Sequence, residues 1–281
     1  MKAKIQQARI LMDALPYIKL FNKKTIVIKY GGSAQEVPAL RKKFTQDVVL
    51  LFLVGIKPII VHGGGKKINN LLERLSINSH FVDGLRVTND EIMEVVEMVL
   101  GGHINKEITN LLNFNGAKAI GITGKDASFM QARALENGKY GLVGEITHIR
   151  RSVIDDLVAQ NFIPVIAPIA AGGINHPGFN VNADLAASEI AVALGAEKII
   201  FLTDTTGILD KDKNLLSLLS QENIKVLKRN GTIQGGMIPK TDACLTSLQG
   251  GVKSAHIIDG RIEHSLLLEL FTNDGIGTNI K

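Results

Sequence analysis

Twice in the first 75 residues an apolar, β-branched run ends in consecutive glycines and gives way to a helical pattern. TIVIKYGG (25–32) precedes a helix expected over 39–55 and stopped at Gly55, and KPIIVHGGG (57–65) precedes one over 66–75. The rhythm continues with a helix over 89–112, a strand AKAIGIT (117–123), strands around 130–135 and 142–149, a helix over 152–160 and a strand IPVIAPI (163–169). A second block opens near Ala183 with helical NADLAASEIAVALGA, then a strand KIIFLT (198–203) and a polar turn segment TDTTGILDKDKN. Gly235-Gly236 open a helix over 239–249, followed by a strand SAHIID (254–259) and a last helix HSLLLELF. Such alternation predicts an α/β fold with a mostly parallel central sheet and helices on both faces.

Ahead of the first strand, residues 3–21 read as an amphipathic helix, bent or broken at Pro16. Neither a low-complexity linker nor a repeat of fixed period divides the chain, so its 281 residues are expected to form two lobes behind a leading helix: 1–24, 25–194 and 195–281.

Composition removes several function classes. Aromatics make up 5% with no Trp, too few for the stacking platform of a single-strand nucleic-acid binder. The net charge of +5 is spread out, its longest basic cluster being Arg41-Lys42-Lys43, which suits small anionic substrates better than a nucleic-acid stripe. No apolar run reaches the roughly 18 residues of a membrane span, and the start MKAKIQQARILMDALPYIKLF lacks a signal-peptide pattern. The single Cys244 excludes an intramolecular disulfide and fits a reducing compartment. Heavy use of Ile, Lys and Asn fits an AT-rich genome, organelle genomes included.

Three glycine clusters run into helices: Gly31-Gly32, Gly63-Gly64-Gly65 and Gly235-Gly236. In a parallel sheet such loops gather at the carboxyl ends of the strands, where free amides and helix N-termini attract phosphate. Neither the GxxxxGK[ST] nor the GxGxxG spacing is present, which excludes a Walker loop and a dinucleotide fingerprint. Lys29 sits inside an apolar strand, so it either snorkels from the strand end or meets a buried anion. Lys240, beside Pro239 after the third glycine pair, can reach the same anion, and two lysines from distant parts of the chain suit phosphoryl transfer. Asp184 either opens its helix as a cap or first-turn acid, or holds both lysines. Asn180 and Asn182 flank it as hydrogen-bond donors, and Arg86 in GLRVT can clamp a carboxylate. Thr203, Asp204 and Gly207, closing a strand, suit a nucleotide's ribose or phosphates or form a simple turn. The histidines show no metal-ligand spacing, so magnesium is expected to arrive on the nucleotide.

Taken in order, KYGG (29–32), VHGGG (61–65), GLRVT (84–88), GITGKD (121–126), NVNADLAA (180–187), LTDTTGIL (202–209), GGMIPK (235–240) and DGRIEHSLLLELF (259–271) resemble the amino-acid kinases over nearly the whole chain. Within that family they are similar to the branch that phosphorylates N-acetyl-L-glutamate on its side-chain carboxylate. The resemblance implies a three-layer α/β/α sandwich, an amino-terminal lobe for the acyl amino acid and a carboxyl-terminal lobe for ATP with Mg2+. It implies that Lys29 and Lys240 stabilise the transition state and that Asp184 organises them. Gly64, Gly65, Arg86 and Asn180 would bind the acyl amino acid, Arg86 through its α-carboxylate. Gly31, Gly32, Thr203, Asp204, Gly207, Gly235 and Gly236 would surround the nucleotide. Ser33-Ala34-Gln35 departs from the family's Asn-Ala-Met after the first glycine pair.

The leading helix and EHSLLLELFTNDGIGT are similar to arginine-inhibited members, hexameric rings joined through paired amino-terminal helices. His264, Glu269 and Gly275 are the expected arginine ligands. Such long-helix enzymes in cyanobacteria and plastids also bind the PII signalling protein, a further partner that the resemblance implies. The expected location is plastid stroma for a plastid-encoded chain and otherwise cytoplasm. The alternative within the family is a sister kinase acting on another carboxylate such as glutamate.

Overall fold

The computed structural model describes the backbone of all 281 residues and every side chain except those of Lys2, Ala3 and Gln7. Its central sheet has eight strands: β1 (Thr25–Tyr30), β2 (Lys57–His62), β3 (Ala119–Thr123), β4 (Ile163–Ala167), β5 (Lys198–Thr203), β6 (Leu218–Leu219), β7 (Ser254–Asp259) and β8 (Thr278–Ile280). They lie in the order β6-β8-β7-β5-β1-β2-β4-β3, and every neighbouring pair is parallel except β7 with β8.

Period-2 alternation decides where the core goes. Ile26, Ile28 and Tyr30 of β1 enter one buried cluster and Val27 the other, so the strand is apolar on both faces. The first cluster is covered by α1 (Lys2–Phe21), α2 (Pro38–Leu53), α3 (Gly65–Arg74), α4 (Asp90–Glu97), α5 (Asn105–Phe114) and α10 (Ser265–Phe271). The second is covered by α6 (Arg151–Ala159), α7 (Ala183–Leu194), α8 (Gln221–Arg229) and α9 (Met237–Gln249). This is the three-layer sandwich expected. Because β1 pairs with both β2 and β5, one continuous sheet crosses the expected lobe boundary, which coincides with the end of α7 and its left-handed cap Gly195.

Three expectations need correcting. Helix α1 runs unbroken through Pro16, since the missing N–H faces the exposed Met12 side of the helix, where water can take the freed carbonyl. The helix expected over 89–112 divides into α4, a π-helical segment Met98–Ile104 and α5. Strands Met130–Ala134 and Gly144–Ile149 form a separate antiparallel hairpin rather than joining the central sheet. Helix α8, over which no element was expected, starts at a Ser220–Asn223 capping box.

Candidate active site

The parallel register brings the ends of β7, β5, β1 and β2 into one row, so Gly260, Thr203-Asp204, Gly31-Gly32 and Gly63-Gly64-Gly65 line the carboxyl edge of the sheet. Lys29 shares its strand face with Val27, the face covered by α7. Asn182 caps α7 by accepting the amides of Asp184 and Leu185, which fixes Asp184 as a first-turn acid rather than the cap. Its carboxylate lies between the two lysines: Lys29 Nζ is 3.0 Å from Oδ1 and Lys240 Nζ donates to Oδ2 at 2.8 Å. Burial works to raise the Asp184 carboxyl, but the charges of Lys29 and Lys240 outweigh it and hold the group below its ordinary value.

The partner helix α9 is latched to α7 through small side chains. Ser247 Oγ donates to Ser188 Oγ at 2.9 Å, and Ser188 Oγ donates to the Ala243 carbonyl at 3.0 Å. That close contact sets how far Lys240 reaches. A Cβ at Gly31 would stand 3.1 Å from Lys29 Nζ, so the glycine leaves the ammonium its room. Gly32, with φ +66°, passes under Asp204, whose Oδ1 accepts the Ser33 amide at 2.8 Å. The sheet edge thus carries one acid held by two cations and a second acid, Asp204, held by a backbone amide.

A cavity of about 200 Å3 opens beside this cluster, lined among others by Gly63, Gly64, Gly65, Arg86, Asn180 and Asn182. A second, of about 260 Å3, shares the three glycines and is lined by Lys29, Gly31, Gly32 and Gln35. Gly64 approaches the π-helical segment so closely that a Cβ would fall 2.2 Å from Ile104 Cδ1. Arg86 is buried beneath the Phe81 ring and donates to Ser79 Oγ at 2.7 Å, Asn69 Oδ1 at 2.6 Å and the Gly65 carbonyl at 3.3 Å. All three acceptors are neutral, and among the described residues it forms no ion pair. Burial pushes its guanidinium down from its usual value. Asn180 donates to Thr88 Oγ1 at 3.2 Å.

Catalytic candidates Lys29, Asp184 and Lys240 therefore come together, and Gly64, Gly65, Arg86 and Asn180 surround one neighbouring cavity. Of the nucleotide candidates, Gly31, Gly32, Thr203 and Asp204 share the sheet edge, and Gly235-Gly236 lead into α9. Gly207, at φ +139°, is packed against Thr278 and Leu215, a tight-turn requirement. The three C-terminal candidates divide. Gly275 backs onto Glu269, whose Oε1 is 2.5 Å from His256 Nδ1 and whose Oε2 accepts the Ile276 amide. His264 instead points its Nδ1 at Asp47 Oδ1, 2.5 Å away, because a left-handed residue at the start of α10 turns it toward α2. Ser79 and Asn69, which hold Arg86, carry no motif and could not have been found from sequence. His62 stood within VHGGG without a role.

This edge of anion-seeking amides with paired lysines on an open α/β sheet defines a phosphotransferase-like site, and residues 24–259 match the amino acid kinase family, to which the chain belongs. Acetylglutamate kinase from Sulfurimonas denitrificans is 60% identical over 281 residues, all of this chain and 99% of that protein. Its counterpart from Campylobacter curvus is 59% identical over the full length of both. Among solved structures, N-acetylglutamate synthase from Neisseria gonorrhoeae complexed with coenzyme A and N-acetyl-glutamate superposes with a TM-score of 0.85 at 26% identity, covering 97% of this chain and 63% of the synthase. Carbamate kinase from Giardia lamblia bound to AMP-PNP shares the fold, with a TM-score of 0.70 at 17% identity over 92% of this chain and 98% of that one.

Proposed function

We propose that this chain transfers the γ-phosphoryl group of ATP to the side-chain carboxylate of N-acetyl-L-glutamate, the second step of arginine biosynthesis. The observation that carries this reading is full-length identity of about 60% to acetylglutamate kinases. The site supplies the chemistry. A carboxylate oxygen attacks the γ-phosphorus, the bond to the β–γ bridging oxygen breaks, and ADP leaves with that electron pair. No general base is required, because the nucleophile is ionised at neutral pH. Lys29 and Lys240 face the charge spreading over the phosphoryl oxygens, Asp184 fixes the spacing between them, and the Gly64 and Gly65 amides donate from the acceptor side. Arg86, buried without an anion, binds the α-carboxylate, and Asn180 binds the rest of the acceptor. The nucleotide lies along Gly31, Gly32, Thr203, Asp204, Gly235 and Gly236. Magnesium would ride on the triphosphate, where it neutralises oxygen charge when bound. An ADP-release assay with N-acetylglutamate, glutamate, aspartate and UMP side by side tests the assignment; turnover with UMP or glutamate alone overturns it.

Arginine inhibition, a hexameric ring and PII binding belong to the same reading. Support for the ring comes from α1, whose Ile10, Leu11 and Met12 are all more than half exposed. Support for the arginine site comes from the Glu269–Gly275 contact, with Tyr17 of α1 hydrogen-bonded to Asn273 in the same segment. Native mass measurement with and without α1, and a rate titration with millimolar arginine, check the two. The bacterial relatives favour a bacterial cytoplasm over the plastid stroma that composition suggested.

A further inference from the structure

The carbonyl of Gly63 is held twice. Gln35 Nε2 donates to it at 3.0 Å and His62 Nδ1 stands 3.0 Å away, so both lone-pair directions are taken. Gln35 is one of the residues at which this chain departs from the family pattern, and a methionine there could make no such bond. The ring of His62 is fully buried, and its protonation follows from its neighbours. Asn105 Nδ2 donates to the Val165 carbonyl at 2.9 Å while its Oδ1 accepts Lys106 Nζ at 3.2 Å, which fixes the orientation of the amide. That same Nδ2 lies 3.2 Å from His62 Nε2, which must accept. The proton therefore sits on Nδ1, where the Gly63 carbonyl requires a donor. Burial, with Lys106 and Lys67 nearby, pushes the ring down to about 4, against the opposing Gly63 hydrogen bond, so it stays neutral at physiological pH. Asn105 begins α5 where the π-helical segment ends, and that segment's Leu100 and Ile104 pack under Gly64.

In a trans peptide the Gly63 carbonyl and the Gly64 N–H point in opposite directions, so fixing one fixes the other. The Gly64 amide donates to no group among the described residues and borders both cavities. We propose that Gln35 and His62 are positioning residues that clamp the Gly63 carbonyl and thereby aim the Gly64 N–H at the reacting phosphoryl and carboxylate oxygens. The inference rests on the phosphotransfer reading above. A misaimed donor loses transition-state stabilisation before it loses ground-state binding.

The test combines steady-state kinetics with the 15N spectrum of the ring, using full-length protein and whichever acceptor the wild type turns over. Gln35→Met should lower kcat about fivefold, the size of one lost hydrogen bond, with both KM values within about twofold. His62→Leu should lower kcat further, and His62→Asn, which keeps a donor near the Nδ1 position, should recover most of the loss. The His62 signals, assigned by their disappearance in His62→Asn, should show an Nδ1–H neutral tautomer unchanged from pH 5.5 to 8.5. An Nε2–H tautomer, a titrating ring, or a Gln35→Met enzyme with wild-type kcat overturns the clamp. If a histidine variant does not fold, the Gln35→Met kinetics still decide. A wild type inactive on N-acetylglutamate but active on another acceptor overturns the substrate assignment, and the same variants then test the clamp on that acceptor.

Discussion

The two cationic centres of the site are balanced in opposite ways. Lys29 and Lys240 share one buried carboxylate, Asp184, before any ligand arrives. Arg86, equally buried, leans only on neutral acceptors. Desolvating an unpaired cation is costly, so Arg86 is a site in need of an anion, whereas the lysines already form a preorganised unit with one surplus positive charge. The first centre should therefore show itself in the rate of the chemical step and the second in binding of the acceptor.

The largest expected effect separates the two. Lys29→Ala and Lys240→Ala should each lower kcat by about 10²–10³, with KM for either substrate changed only a few-fold. Asp184→Asn should match them in rate and also cost about 3 kcal/mol of stability, because it strands two half-buried ammonium groups. Equal KM and kcat effects in the lysine variants would erase the distinction. Arg86→Ala should do the reverse, raising KM for the acceptor by about tenfold or more while leaving KM for ATP near wild type. Melting curves give a second measure: a 100-fold excess of acceptor over its Kd should stabilise the wild type by about 2.7 kcal/mol and the Arg86→Ala protein far less. A smaller effect is expected at the boundary between the centres. Gly64→Ala must push Ile104 and Leu100 aside, costing about 1–3 kcal/mol and lowering kcat; an unchanged urea midpoint would contradict the close approach.

Much of the first centre was legible from residues alone, and the reason is local. A lysine inside TIVIKY needs an anion, and NVNAD presents one at the start of a helix, so two short motifs suffice. The arrangement of layers likewise follows from strand and helix alternation, but the strand order does not, and the edge strands β6 and β8 are too short for a pattern to announce them. The second centre was legible only in part. Arg86 was visible, but its partners Ser79 and Asn69 come from a loop and a helix face with no motif of their own. The π-helical segment left no trace either, because the apolar rhythm of 89–112 fits an ordinary helix about as well. His264 was grouped with Glu269 because both lie in the segment that resembles arginine-inhibited members, and its own left-handed backbone turns its ring to Asp47.

The same contrast between charge with and without sufficient counter-charge extends to two buried acids, and there the expected effects are smallest. Asp184, pulled below its ordinary value by the two lysines against the cost of burial, contributes stability that is complete above its unfolded value near 3.8 and is lost as pH falls through its lower folded value. Asp47, on α2 behind the sheet, is pushed up to about 6 by burial, which the hydrogen bond from His264, the Leu266 amide and the nearby Lys43 only partly offset. Its folded value lies above its unfolded one, so the folded state takes up the proton first and stability on its account falls as pH rises from about 4 to 6, by on the order of 2 kcal/mol. Urea titrations at pH 7, 5.5 and 4.5 therefore tell the two apart. The stability difference between wild type and Asp47→Asn should shift in favour of the wild type as pH falls across that window, since only the wild type gains a proton there. The difference between wild type and Asp184→Asn should stay constant, because that carboxylate is ionised in both folded and unfolded chains throughout. A flat Asp47→Asn difference would mean that its surroundings already balance Asp47, leaving Arg86 the less compensated of the two groups.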